Sequence, residues 1–531
     1  MTQARGSAVD WRATRRVLLH GGRLLSPADA DATALLIVGD TISWVGDESA
    51  AAGLVDSADE VIDLAGAYLT PGFVDAHVHA TSAGLLLTGL DLTGCSSAEQ
   101  LLAALADHAR RHPGEQVIGH GWDQTRWPDA TLPTRTQVDD AAHGASVYLS
   151  RIDAHSALVS SALCAHAADL HRLDGFTPDG SLSSTAHLRV REIALSLITD
   201  DQRRDAQRTM RAHAAALGIV AIHEMAGPAI SSEQDLAMLL DLADAEPGPL
   251  VTGYWGELAS RGGIGTALEL GAAGVAGDLF VDGALGSHTA CLHAGYRDLP
   301  DSTGASFLSV DEIADHLVEA TRTGMQAGFH VIGDAACSAV SEGLRRAAAE
   351  VGSDAVRAAG HRIEHAEMLS DDDLATLADL GVVASMQPMF DALWGGTGGM
   401  YDQRLGDERM RGMNRFHDIA DAGIRLAFGS DAPVTAMGPW LAVRAAVHHR
   451  TPGQGIPPRD AFDAHVRNGW LAAGIENVGE LIPGQPAHLA VWAAGPLTDG
   501  LLDLDAAPPE CLATLVHGRI VHDAGLRGGG R

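Results

Sequence analysis

The sequence predicts an α/β protein: a (β/α)8, TIM-like barrel, a composite β-sandwich built from both chain ends, and an insertion after barrel strand 1. Three observations predict it. Apolar strands alternate with Ala-rich amphipathic helices through the middle of the chain, those strands end in polar and chemically capable residues, and short strands separated by Gly-Asp turns recur at both ends. A barrel places its site at the carboxyl ends of its strands. A doubly wound sheet also alternates strands and helices, but it would not bring so many strand ends together.

From Arg16 to Leu69 the runs 17–19, 34–38 and 41–46 alternate with turns such as Gly39-Asp40, the pattern of a small antiparallel unit. Matching runs at 479–484, 487–492 and 513–522 close the chain. Each half is too small to bury a core alone, so residues 16–69 and 476–522 are expected to form one domain. The Gly-rich tail, 523–531, is expected to be disordered.

The barrel is expected over 70–475. It starts with Leu69-Thr-Pro-Gly-Phe-Val-Asp-Ala-His-Val-His-Ala80, a Pro-Gly turn leading into a buried strand. Strand side chains alternate faces, so Asp75, His77 and His79 share one face and both imidazoles can reach one point beyond the strand end. Later apolar runs end at His223, Asp282, His330, His365, Gln387 and Asp431. At roughly 31 residues per βα unit, His330 to His365 is close to one unit and His365 to Asp431 close to two. The stretch from His79 to His330 is far longer than four units allow, which places an insertion at about 85–210. Trp122, Asp123 and His155 in that insertion, and Gln387 at the end of strand 7, are the expected substrate contacts.

Bulk composition narrows the function. A net charge of −33 argues against nucleic-acid or anionic-membrane surfaces as partners. Five cysteines without Cys-x-x-Cys spacing indicate neither a disulfide framework nor a thiolate zinc site. Residues 1–16 lack a signal-type apolar core, and no run of eighteen apolar residues occurs, so a cytoplasmic location is expected. A homodimer is compatible with all of this. All 36 basic residues are arginine, and the chain contains no lysine.

His77 and His79 on strand 1, His330 on strand 5, His365 on strand 6 and Asp431 on strand 8 would project into one mouth. Imidazole nitrogens with one carboxylate oxygen suit a divalent metal ion. These residues also carry a resemblance. Pro71-Gly-Phe-Val-Asp-Ala-His-Val-His79, Phe329-His-Val-Ile-Gly-Asp334, Arg362-Ile-Glu-His365, Gln387-Pro388 and Phe428-Gly-Ser-Asp-Ala-Pro433 together resemble the amidohydrolase superfamily, in the branch of YtcJ-like hydrolases and N-substituted formamide deformylases. The resemblance runs from about Arg16 to His522. It implies a metal-dependent hydrolase and a ligand role for His77, His79, His330, His365 and Asp431, with zinc the expected ion.

The implied activity is hydrolysis of a non-peptide C–N bond in an N-acyl or N-formyl amine or a small amide, by water that the ion makes acidic. Asp431 would take the proton and pass it to the leaving nitrogen, while His330 or His365 would help to polarise the carbonyl. Asp75 and Glu364 are candidate acceptors that orient the imidazoles. A deaminase, a cyclic amidase or a silent binding homologue are the alternatives. Two positions depart from the family pattern: Asp278, where a bridging carboxylated lysine is frequent, and His488, where aspartate is usual. Without a lysine to bridge two ions, one tight ion is favoured. A second ion, bridged by Asp278 or Glu224, is left open.

Overall fold

The structure is a computed structural model. It describes residues 15–526 apart from 125, 126, 152–155, 180 and 499. The chain divides into two compact units, Met1–His79 with Arg211–Arg531, and Ala80–Met210.

In the first unit, eight parallel strands form one sheet in chain order: strand 1 Phe73–Val78, strand 2 Ile219–Ala226, strand 3 Leu250–Trp255, strand 4 Gly274–Val275, strand 5 Gln326–Val331, strand 6 Arg362–His365, strand 7 Val383–Met386 and strand 8 Leu426–Phe428. Every residue of strands 1 and 2 is buried, as a sheet covered on both faces requires. The ring is drawn together by residues just past strand 8: Asp431 N donates to His77 O at 2.8 Å, and His79 N donates to Ala432 O at 2.9 Å. Two of the helices between strands start at capping boxes. Ser309 and Glu312 cap Val310–Thr323 reciprocally, and Ser370 and Asp373 do the same for Asp371–Leu380.

Three strands differ from the sequence expectation. Strand 3 was not anticipated, because its run is interrupted by Thr252 and Gly253. Strand 2 continues past His223 to Ala226, so His223 lies inside the barrel wall and not at its end. The run 278–282, expected as a strand, follows strand 4 and does not constitute it. Gly277, with φ +97°, turns the backbone there, and pairing resumes only where Phe280 bridges to His330.

The chain ends build two sheets. One contains Thr41–Gly46, Ala34–Val38, Arg16–His20 and Glu60–Asp63. The other takes Arg23–Leu24 and Tyr68–Pro71 from the N-terminal side and Leu489–Trp492, Cys511–Val516 and Arg519–Asp523 from the C-terminal side. Val17, Leu19, Leu35 and Ile37 share one apolar cluster with Leu489, Val491, Ala513 and Leu515. Each such side chain contributes about 1.5–3 kcal/mol on burial, so the cluster is assembled only when both ends are present. The stretch 479–484 is not a strand; Leu481 plugs into the cluster while its carbonyl accepts from Ser26 Oγ at 2.6 Å. The last strand reaches Asp523 and Leu526 packs on the cluster, so order extends further than the expected tail boundary. Residues 527–531, where the rest of that expectation falls, lie outside the described residues.

The second unit carries its own sheet, Leu90–Asp91, Val117–Trp122, Val147–Arg151, Ser156–Val159 and Ser181–Ser183. Leu90, Leu101, Leu105, Val117, Trp122 and Leu149 pack in one of its cores. Among the described residues no helix is long and apolar enough to cross a membrane.

Candidate metal centre

Six buried side chains meet at the carboxyl end of the barrel: His77, His79, Asp278, His330, His365 and Asp431. Asp278 Oδ2 and Asp431 Oδ1 each lie 3.2 Å from His79 Nε2. Asp278 Oδ1 lies 3.5 Å from His77 Nε2, 3.5 Å from His330 Nδ1 and 3.8 Å from His365 Nε2. Asp431 Oδ1 is 3.5 Å from His77 Nε2.

Five of these inward atoms, His77 Nε2, His330 Nδ1, His365 Nε2, Asp278 Oδ1 and Asp431 Oδ1, are buried without a hydrogen-bond partner. Buried polar atoms are almost always paired, so a convergent group of orphans is a site built for something besides protein. The donor set, imidazole nitrogen and carboxylate oxygen, fits a divalent ion. Two triads can hold one: His77, Asp278 and His365, and His77, His79 and Asp431, each with ligand atoms within 4.8 Å of one another.

The imidazoles are oriented from behind. His77 Nδ1 lies 2.8 Å from Glu364 Oε2, which fixes a proton on Nδ1 and turns the Nε2 lone pair inward. Burial alone would raise the Glu364 carboxyl, but Arg362 and the His77 bond outweigh it and hold it at about 2. Arg362 in turn is enclosed: Nε donates to Glu364 Oε1 at 2.5 Å, Nη2 to Ala76 O and Ser385 Oγ, and the guanidinium lies 4.8 Å from the Tyr254 ring centre. His223 Nδ1 accepts from Arg362 Nη1 at 3.2 Å; burial, reinforced by the Arg362 charge, keeps that imidazole neutral. His365 Nδ1 donates to Gln387 Oε1 at 2.7 Å, leaving its Nε2 lone pair inward.

Two of the six residues take unusual backbone conformations. His365 has φ +71° and Asp431 has φ +55°, both left-handed at the ends of barrel strands. Side-chain-bearing residues adopt that region at a cost of order 1–3 kcal/mol, and such strain concentrates at functional sites. The Asp431 loop is pinned by Asp75, whose Oδ1 accepts from Ser430 N at 2.8 Å. Gly429 allows the approach, since a Cβ there would meet His77 N at 2.5 Å.

The structure brings together all five residues expected as ligands and adds Asp278. Of the two orienting acceptors, Glu364 touches His77, whereas Asp75 holds the loop backbone and no imidazole. Glu224 is buried on strand 2 and belongs to neither triad. Of the four expected substrate contacts, three fall among the described residues. Trp122 is 1% exposed, with its indole N–H given to Leu149 O at 2.8 Å, so it is core in its own unit. Asp123 pairs with Arg151 at 2.8 Å. Gln387 is 2% exposed and orients His365. His155 lies outside the described residues. Sequence reasoning named Asp278 only as an open alternative beside Glu224, and it missed the support given by Arg362; the alternation Arg-x-Glu in strand 6 was the available signal for the latter.

A family model of the amidohydrolases matches residues 60–522. The chain belongs to the amidohydrolase family. This amidohydrolase is 25% identical to the putative amidohydrolase YtcJ of Bacillus subtilis (strain 168), over 87% of this chain and 90% of that protein. It is also 25% identical to the N-substituted formamide deformylase of Arthrobacter pascens, over 90% of this chain and 92% of that protein. Among solved structures, an uncharacterized metal-dependent hydrolase from Pyrococcus furiosus is similar at 26% identity and a TM-score of 0.75, with 90% of this chain and 98% of that one covered. Family and neighbours agree on a hydrolase of the metal-dependent kind.

Proposed function

We propose that this amidohydrolase cleaves a non-peptide C–N bond in an N-acyl or N-formyl amine or a small amide, using a divalent ion, with zinc as the first candidate. The observation that carries the reading is the convergence of five buried, unpartnered donor atoms at the strand ends. An ion bound there supplies Lewis acidity and makes water acidic enough to act near neutral pH.

The chain's own residues then have separable roles. His77, His79, His330 and His365 present lone pairs and bind. His365 Nδ1 donates its hydrogen bond to Gln387 Oε1, which leaves Nε2 as the ring nitrogen facing the centre, and the reading assigns it to binding in preference to polarising the carbonyl. Burial opposes charge on Asp431, but His77 and His79 outweigh it and keep the carboxyl below its usual range. An ionised Asp431 facing the centre can take a proton from water and return it to the departing nitrogen. Support for the C–N class comes from the similarity to a formamide deformylase over most of both chains. We also read the two sheets formed by the chain ends, with their shared cluster, as one β-sandwich over 16–69 and 476–522.

The test is amine release by metal-loaded protein from a panel of N-formyl amines, N-acyl amines and simple amides. Release from at least one class is expected. A protein that binds metal yet releases no amine from any member would overturn the C–N assignment.

A further inference from the structure

We infer that Asp391 and His449 are positioning residues: the buried pair they form holds the helix after strand 7 so that Gln387 and Phe390 keep His365 turned to the centre. Resting on the reading of His365 as a metal ligand, the role extends to two residues outside the six of the centre.

His365 needs outside support. It and Ala366 both have positive φ, +71° and +49°, at the end of strand 6, a conformation that persists only where the surroundings over-determine it. Part of that support is the helix Pro388–Trp394, which starts at Gln387. Gln387 Oε1 accepts from His365 Nδ1 at 2.7 Å, and the Phe390 ring lies parallel to the imidazole, 5.9 Å between centres and 8° between planes. A helix this short is marginal on its own in water. These two contacts are therefore only as firm as whatever holds the helix from its other side.

That hold is Asp391, whose side chain is buried. Oδ2 accepts from Arg450 N at 2.7 Å, and Oδ1 faces Nε2 of the enclosed His449 ring at 3.6 Å. His449 Nδ1 accepts from Thr451 N at 2.9 Å, which puts the proton of the neutral ring on Nε2, toward the carboxylate. Burial lowers His449 against the pull of Asp391, so the ring stays neutral. Arg450 adds a bond from Nη2 to Ala392 O at 2.9 Å in the last turn of the helix, where a cation is favourable. A Cβ at Gly395 would lie 2.4 Å from Asp391 Oδ1, so glycine at the helix end is what lets the carboxylate sit there.

Two routes lead from the pair to His365. Through Asp391 the route is the helix itself. Through His449 it runs by Phe416, whose ring meets the imidazole edge-on at 5.1 Å. Phe416 N donates to Asn414 O at 2.7 Å, and Asn414 N donates to Glu367 O at 2.8 Å, two residues past His365. His449 itself follows the helix Pro439–Val447, so segments that come after strands 6, 7 and 8 are tied together at this point. An apolar pair of similar volume would cost less to bury. The polar pair adds direction, because two carboxylate oxygens with separate partners fix how the helix is rotated about its axis.

The experiment reads the imidazole directly. Metal-free protein with isotope-labelled histidine is measured by proton–nitrogen correlation, and the Nδ1–H resonance of His365 is identified by its disappearance in Gln387→Ala. Asp391→Asn keeps the shape but turns an amide N–H toward either His449 Nε2–H or Arg450 N, and His449 cannot change tautomer while its Nδ1 accepts from Thr451 N. In Asp391→Asn and in His449→Phe the His365 Nδ1 proton is expected to exchange with water at least about 10-fold faster, and Zn2+ to bind about 10-fold more weakly. Ser309→Ala, which removes a helix cap elsewhere, is the control for lost stability alone; its resonance and Zn2+ affinity should match the parent's. Parental exchange at His365 in folded Asp391→Asn and His449→Phe overturns the inference and leaves the hydrolase reading standing. An equal change in Ser309→Ala overturns it too. Should Asp391→Asn misfold, His449→Phe decides, since it removes the N–H and keeps an aromatic ring against Phe416. A parent protein that binds no Zn2+ overturns the hydrolase reading and this role together.

Discussion

His77 Nδ1 and Glu364 Oε2 stand 2.8 Å apart with both side chains wholly enclosed, and the same carboxylate is the counterion of the enclosed Arg362. One glutamate therefore orients a candidate ligand and neutralises a buried cation. Glu364→Gln keeps the shape but removes the charge. Metal affinity is expected to fall about 10–100-fold, as for other partners behind metal-bound imidazoles. Stability should fall as well, because a buried arginine left without its counterion costs about 3–5 kcal/mol. Competition with a chelator and a thermal melt separate the two effects; unchanged metal affinity in a folded variant would reduce Glu364 to a packing role.

His77→Ala and His79→Ala should abolish metal retention and turnover while leaving the far-ultraviolet circular dichroism spectrum close to that of the parent. Both side chains sit at the barrel mouth with their inward atoms facing other polar groups and not the apolar core. Elemental analysis of the purified variants is the check, and full metal occupancy in both would remove them from the ligand set.

Asp431→Asn retains an oxygen toward the centre but cannot accept a proton. The expected loss is in kcat, about 10²-fold or more, with a smaller change in KM. Steady-state kinetics of the metal-replete variant test this; a near-normal kcat would place the base elsewhere.

A fourth prediction concerns acid stability. His316 Nδ1 accepts from Ala259 N and its Nε2 donates to Val275 O, while His361 Nδ1 accepts from Ala327 N. Burial lowers both imidazoles to about 4, with the Val275 bond opposing it in His316 and the nearby His316 adding to it in His361. The unfolded chain takes up these protons near pH 6.5 and the folded protein only near 4, so stability falls as pH drops through that window. Each imidazole contributes on the order of 2 kcal/mol of the loss by pH 5. Thermal midpoints at pH 7 and pH 5 should differ accordingly, and the difference should shrink in His361→Asn. An unchanged difference would mean that other groups control acid unfolding.

The convergence of the candidate ligands was legible because a strand's two-residue period and a barrel's convergent strand ends are both written locally: His77 and His79 share a face, and His330 and His365 end apolar runs. Asp278 was visible as a departure from a pattern, but its place depends on a left-handed Gly277 and on the approach of Gly256 from another strand, which no local pattern encodes. Trp122 is the opposite case. An aromatic beside polar residues is more often core than binding surface, and the burial of Trp122 and its indole bond to Leu149 O describe packing within its own unit. Strand 3 escaped notice because Thr252 and Gly253 dilute its apolar run and no reactive residue marks its end.

The closure of the barrel fixes when the centre comes into being. Strand 1 is held to the residues beyond strand 8 by two bonds, Asp431 N to His77 O and His79 N to Ala432 O, so the first candidate ligands to leave the ribosome are completed by the last of them. A nascent chain that stops before Gly429 contains the four imidazoles and Asp278 but lacks Asp431 and the two bonds to strand 1. Folding across so long a separation in sequence is slow relative to local structure. During synthesis, competence to work as an enzyme therefore arrives as a late, single event, after most of the protein's mass has been made.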